Sequence, residues 1–90
     1  MAKSIRITIH GRVHGVWFRQ SAMRMAVQLG ITGFVRNEPD GTVYIEAEGN
    51  DNALFGFITW CHSGPELAEV SHVSIEEQAV KHYTQFEVLR

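Results

Sequence analysis

From Lys3 to His10 apolar and polar residues alternate, with Ile5, Ile7 and Ile9 on one side and Ser4, Arg6, Thr8 and His10 on the other. This is the period-two signature of a half-buried strand. Gly11-Arg12-Val13-His14-Gly15 breaks the alternation. Beyond it Phe18, Ala22, Met25, Ala26 and Leu29 recur at helical spacing opposite Gln20, Arg24 and Gln28, predicting an amphipathic helix closed by Gly30. Ile31 to Asn37 and Thr42 to Glu48 read as two strands joined by a Pro39-Asp40-Gly41 turn, with Val43, Ile45 and Ala47 facing one way. Asn50 or Asp51 can cap a second helix whose buried stripe is Leu54, Phe57, Ile58 and Cys61 and which Gly64-Pro65 stops. Val70, Val73 and Ile75 mark a fourth strand, its spacing interrupted near Ser71-His72 as at a bulge or a sheet edge, and Phe86 to Leu89 a short fifth.

The order strand, helix, strand, strand, helix, strand predicts an α+β, ferredoxin-like (βαββαβ) two-layer sandwich. Both helices should cover one face of a mainly antiparallel sheet with a short fifth strand. No repeat, low-complexity tract or linker offers a boundary, so residues 1–90 read as a single domain. Such sandwiches host many functions, and the function must be read from particular residues.

Composition narrows the choice. Ninety residues, 44% hydrophobic and 20% charged, suit one compact core that folds alone. Eight Lys and Arg against ten Asp and Glu give a net charge of -2, so no overall positive field collects nucleic acid or anionic membrane. Any anion must be bound locally. Cys61 is the only cysteine, which rules out an intramolecular disulfide and favours a reducing compartment, the cytoplasm. The start of the chain lacks the apolar block of a signal peptide, and no stretch is apolar enough to span a bilayer as a helix.

Two segments carry candidate chemistry. Gly11 to Arg19 places a Gly-flanked loop between a strand end and a helix start, where N–H groups converge and the helix's first turn adds partial positive charge. Arg19 would bring a planar donor fork that matches phosphate oxygens. The spacing fits neither the nucleotide-binding nor the dinucleotide glycine pattern, which argues against an ATP or NAD site. The second segment is Gly33-Phe34-Val35-Arg36-Asn37, followed by Asp40-Gly41-Thr42-Val43 and Gly49. The Asn37 carboxamide offers an acceptor and a donor together, suited to orienting a water, and equally to satisfying backbone groups in a turn beside Pro39.

Together the two segments resemble a known family. Ile9-His10-Gly11-Arg12-Val13-His14-Gly15-Val16-Trp17-Phe18-Arg19 is similar to the first acylphosphatase signature, and Gly33 through Gly49 to the second. The resemblance implies the family's ferredoxin-like fold and hydrolysis of acyl phosphates to carboxylate and inorganic phosphate, without cofactor or metal. It implies that the backbone amides of Arg12, Val13, His14, Gly15, Val16 and Trp17 and the side chain of Arg19 bind the phosphoryl group, while Asn37 positions the hydrolytic water. The family usually has glutamine where this chain has His14, which places a titratable imidazole in the loop without removing a main-chain donor. The expected partner is a small-molecule acyl phosphate, with no nucleic acid and no membrane, and the size suits a monomer.

Other constellations are weaker. Cys61 has Leu67 six positions on, where a cysteine-dependent phosphatase would want arginine, and it sits on an apolar stripe. His10 and His14 are not expected to converge, and His62, His72 and His82 read as isolated, so no metal site is expected. Trp60 reads as packing, whereas Trp17, inside the loop, is placed to flank the acyl group or to bury area. A non-catalytic binding module is the alternative reading, for a small ligand or for RNA, although Phe34 lacks the neighbouring basic and aromatic residues that stack bases. A carbamoyl-phosphate-handling module is a further one.

Overall fold

The computed structural model describes residues 2–90 and contains seven elements: β1 (Lys3–Arg12), α1 (Phe18–Leu29), β2 (Thr32–Asn37), β3 (Val43–Gly49), α2 (Asp51–Ser63), β4 (Glu69–Gln78) and β5 (Phe86–Val88). The strands form one sheet in the order β4-β1-β3-β2-β5. All neighbours are antiparallel except β2 and β5, which run parallel. This is the expected ferredoxin-like α+β sandwich.

The helix-covered face of the sheet follows from the alternation. Ile5, Ile7 and Ile9 of β1 and Val43, Ile45 and Ala47 of β3 are all buried, against Phe18, Ala22 and Ala26 of α1 and Leu54, Phe57 and Cys61 of α2. Each such large side chain contributes about 1.5–3 kcal/mol when fully buried. Asn50 caps α2, its side chain accepting from the Ala53 N–H at 2.8 Å. Gly30 ends α1 in the left-handed conformation, its N–H and that of Ile31 donating to the carbonyls of Val27 and Ala26.

Three features depart from the sequence reading. First, β1 does not stop at His10 but continues through Arg12, because a bulge lets it keep pairing with β4. His10 faces His72, Gly11 faces Val70, and Ser71 is the extra residue. Gly11, at φ +125°, lies so close to the Glu69 carbonyl that a side chain would collide with it. β4 is both bulged and an edge strand, so the two explanations of its broken spacing hold together.

Second, Glu46 and Glu48, which alternation assigns to the solvent side of β3, are buried. The segment linking β4 to β5 folds over them. Glu46 accepts from the hydroxyls of Tyr44 (2.6 Å) and Tyr83 (2.5 Å), from Gln78 (2.9 Å) and from Lys81 (3.0 Å), and Glu48 accepts from the backbone N–H groups of Lys81 and Tyr83. Burial works against the charge on Glu46, but these donors outweigh it and hold its pKa at about 2. Third, His72 is not isolated, since its ring stands 5.5 Å from that of His10 across the strand pair.

Candidate active site

The site is built where the apolar rows of the sheet run out. On the helix side of β2 the sequence is Gly33, Val35, Asn37, set beside Ala47, Ile45 and Val43 of β3. Asn37 therefore occupies the row directly beyond Val35, on the side where α1 begins. The parallel partner continues the row, because Phe86 stands beside Gly33 and Val88 beside Val35. The Leu89 N–H then donates to the Val35 carbonyl at 2.8 Å.

Between β1 and α1 the chain makes a short loop from Val13 to Trp17, in which Val13 and Val16 are buried and fasten the turn to the core. Trp17 enters α1 in the left-handed conformation, φ 65°, without a side-chain cap. The first-turn N–H groups of α1 thus have no capping side chain to accept from them, as an anion at this end would. Arg19 reaches across to the last strand, its Nη1 donating to the Leu89 carbonyl at 3.1 Å. That bond fixes one corner of the guanidinium and leaves its other N–H groups for a ligand.

Loop and strand end share one cavity of about 860 Å³. Val13, Gly15, Trp17, Phe18, Arg19 and Gln20 line one side, and Asn37, Val88 and Arg90 the other. The two side chains singled out from the sequence, Arg19 and Asn37, are therefore brought together. Of the six residues whose amides the resemblance implicates, Val13, Gly15 and Trp17 line the cavity. Arg12 stays in β1, paired with Glu69, while His14 and Val16 sit in the loop without lining it.

His14 does something the sequence did not suggest. Its Nε2 donates to the Thr42 carbonyl at 2.8 Å, and the Glu38 N–H donates to the same oxygen at 2.9 Å. One carbonyl thereby ties the loop to the hairpin that carries Asn37. The hairpin is capped by Asp40, which accepts from the Thr42 N–H and hydroxyl at 3.0 and 2.6 Å, and these bonds lower its pKa. Asn37 is not needed for that task.

The cavity is cationic in a chain of net charge -2, since its charged lining residues are Arg19 and Arg90 and none is Asp or Glu. Nor does His or Cys line it, and no group of three or more potential metal ligands occurs among the described residues. Cys61 lies elsewhere, fully buried, with its thiol pKa pushed up by burial. Gln20, Val88 and Arg90 were missed by the sequence reading. The last two become visible only once β5 is known to lie parallel to β2, because period two then puts residue 90 beside residue 37.

The helix-free face bears on the RNA alternative. It brings Tyr44 and Tyr83 next to Phe34, with ring centroids 5.9 and 6.0 Å away, so the aromatic neighbours that the sequence lacked are supplied by the fold. Arg36 already covers the rings of Tyr44 and Phe34 at 4.9 and 5.5 Å, and is itself paired with Glu38. Both tyrosine hydroxyls are committed to Glu46. The face is occupied by its own chain and flanked by carboxylates.

Comparison with known proteins agrees with this geometry. A family model described as acylphosphatase matches residues 5–88. An acylphosphatase of Methylococcus capsulatus is 46% identical over 89 residues, covering 98% of this chain and 97% of the relative. The structure of an acylphosphatase from Coxiella burnetii superposes with a TM-score of 0.95 at 36% identity, covering 98% of this chain and 93% of that one. The acylphosphatase of Bacillus subtilis gives 0.95 at 33% identity with both chains fully covered. With similarity running through both signature segments and every element that frames the cavity, the chain belongs to the acylphosphatase family.

Proposed function

We propose that this protein is an acylphosphatase that binds the phosphoryl end of an acyl phosphate against the backbone amides from Arg12, at the end of β1, through the loop to Trp17 and against the Arg19 guanidinium, with Asn37 orienting the attacking water. The observation that carries this reading is that Arg19 and Asn37, 18 positions apart on different elements, line one cationic cavity. Water forms a bond to phosphorus while the bond from phosphorus to the carboxyl oxygen breaks, and the carboxylate departs with the electron pair. Its conjugate acid has a pKa of about 4, so no general acid is needed at neutral pH. What remains is positioning and charge stabilisation on the phosphoryl oxygens, which amides and one arginine can supply.

The absence of Asp, Glu, His and Cys from the cavity lining supports a metal-independent reaction. The single domain works on a small-molecule acyl phosphate, releases inorganic phosphate, and acts as a monomer in the cytoplasm. Neither a binding module nor a carbamoyl-phosphate-handling module gains support from the family match or the full-length relatives.

The test is hydrolysis of benzoyl phosphate in the presence of a chelator, with wild type beside Arg19→Ala and Asn37→Ala. Removing one such stabilising group costs about 100-fold to 1,000-fold in turnover, and each variant is expected to fall at least that far with unchanged circular dichroism. Folded variants within tenfold of wild type would overturn the assignment of these residues.

A further inference from the structure

An acyl phosphate has an anionic end and an acyl end, and a phosphoryl group held at Arg19 obliges the acyl end to leave the cavity along one of its walls. We propose that it leaves past Trp17, into a second groove that selects flat apolar acyl groups, aromatic ones above all. This rests on the phosphoryl site described above.

The groove, of about 460 Å³, adjoins the cavity, and Trp17 and Gln20 line both. Gln20 and Ser21, with Arg24 one turn further along α1, form one wall, continuing from Trp17. The turn after α2, Pro65 to Leu67, forms the other, stiffened by the Ala68 N–H donating to the Pro65 carbonyl at 2.9 Å.

The lining has the character of an acyl pocket. Trp17 and Leu67 are 74% and 66% exposed, two of six large apolar side chains left in solvent among the described residues, and both border this groove. The charges of Arg24 and Glu66 offset each other, in contrast to the two arginines of the phosphoryl cavity. Trp17 holds a left-handed backbone, unfavourable for a bulky residue, yet its indole gains little burial in return. A flat acyl group stacked on that indole would bury it, with the Gln20 carboxamide at the boundary where the substrate carbonyl passes.

The experiment compares kcat/KM for benzoyl and acetyl phosphate in wild type, Trp17→Gly and Leu67→Ser, with Val27→Ser as an exposed apolar control on the same helix. Glycine keeps the loop N–H and accepts the left-handed backbone, so this variant is expected to fold. The benzoyl-to-acetyl ratio should fall about tenfold in Trp17→Gly and about threefold in Leu67→Ser, chiefly through KM for benzoyl phosphate, and stay at the wild-type value in Val27→Ser. A ratio within twofold of wild type in both groove variants, or an equal loss on both substrates, overturns the acyl groove and leaves the phosphoryl site standing. A wild type that hydrolyses neither substrate overturns both.

Discussion

Gly33 leaves no room on β2 for even a methyl group. Its φ is +140°, and a Cβ would run into the Glu46 carbonyl of the neighbouring strand. Gly33→Ala must part β2 from β3, and is expected to cost about 3 kcal/mol in urea unfolding. Residues of this kind were partly legible: Gly33, Asn37 and Arg19 fall inside motifs that a reader can recognise. The loop tie made by His14 was not, because the sequence gives an imidazole's position and not the Thr42 carbonyl 28 residues away that accepts from it. Likewise Glu46 and Glu48 carry the same alternation as any solvent-facing pair. Only the chain that later folds across them makes them interior.

At the scale of elements, strands and helices were readable because each exposes one apolar face with the right period, and their ends fell within two residues of the expected ones except at β4, which runs three residues beyond Ile75 to Gln78. The link between β4 and β5 has no such period, and its structure comes from side-chain hydrogen bonds to two carboxylates. Those carboxylates give the fold an acid limit. Glu46 has a pKa of about 2 against its ordinary 4.5, so it favours the folded state fully above pH 4.5 and progressively less as pH falls towards 2. The contribution is about 3 kcal/mol, and Glu48, also lowered, acts in the same direction. Urea unfolding from pH 6 down to pH 2 should show this loss, and Glu46→Gln should flatten the profile while lowering stability at pH 6. An equally steep profile in Glu46→Gln would place the acid sensitivity elsewhere.

Across the whole molecule, the site depends on a juxtaposition that no local pattern contains. Arg19 meets the Leu89 carbonyl 70 residues away because β5 docks parallel to β2, whereas the order of elements predicted only that a short fifth strand exists. The helices also bury Cys61 of α2, which has no exposed surface and a raised thiol pKa. Labelling of Cys61 by a disulfide reagent at pH 8 is therefore expected to require global opening, with a rate that rises with urea in parallel with the unfolding constant. Fast labelling in native buffer would contradict the packing of α2.

The two tryptophans differ in surroundings and not in place: Trp60 is packed against Phe18 and Phe57, and Trp17, next to Phe18 in the chain, projects 74% exposed at the cavity. A soluble quencher dims the second long before the first. If the proposed acyl groove fills on binding, quenching of Trp17 would report occupancy while that of Trp60 reports integrity, so no dye need be attached to tell an empty protein from a broken one.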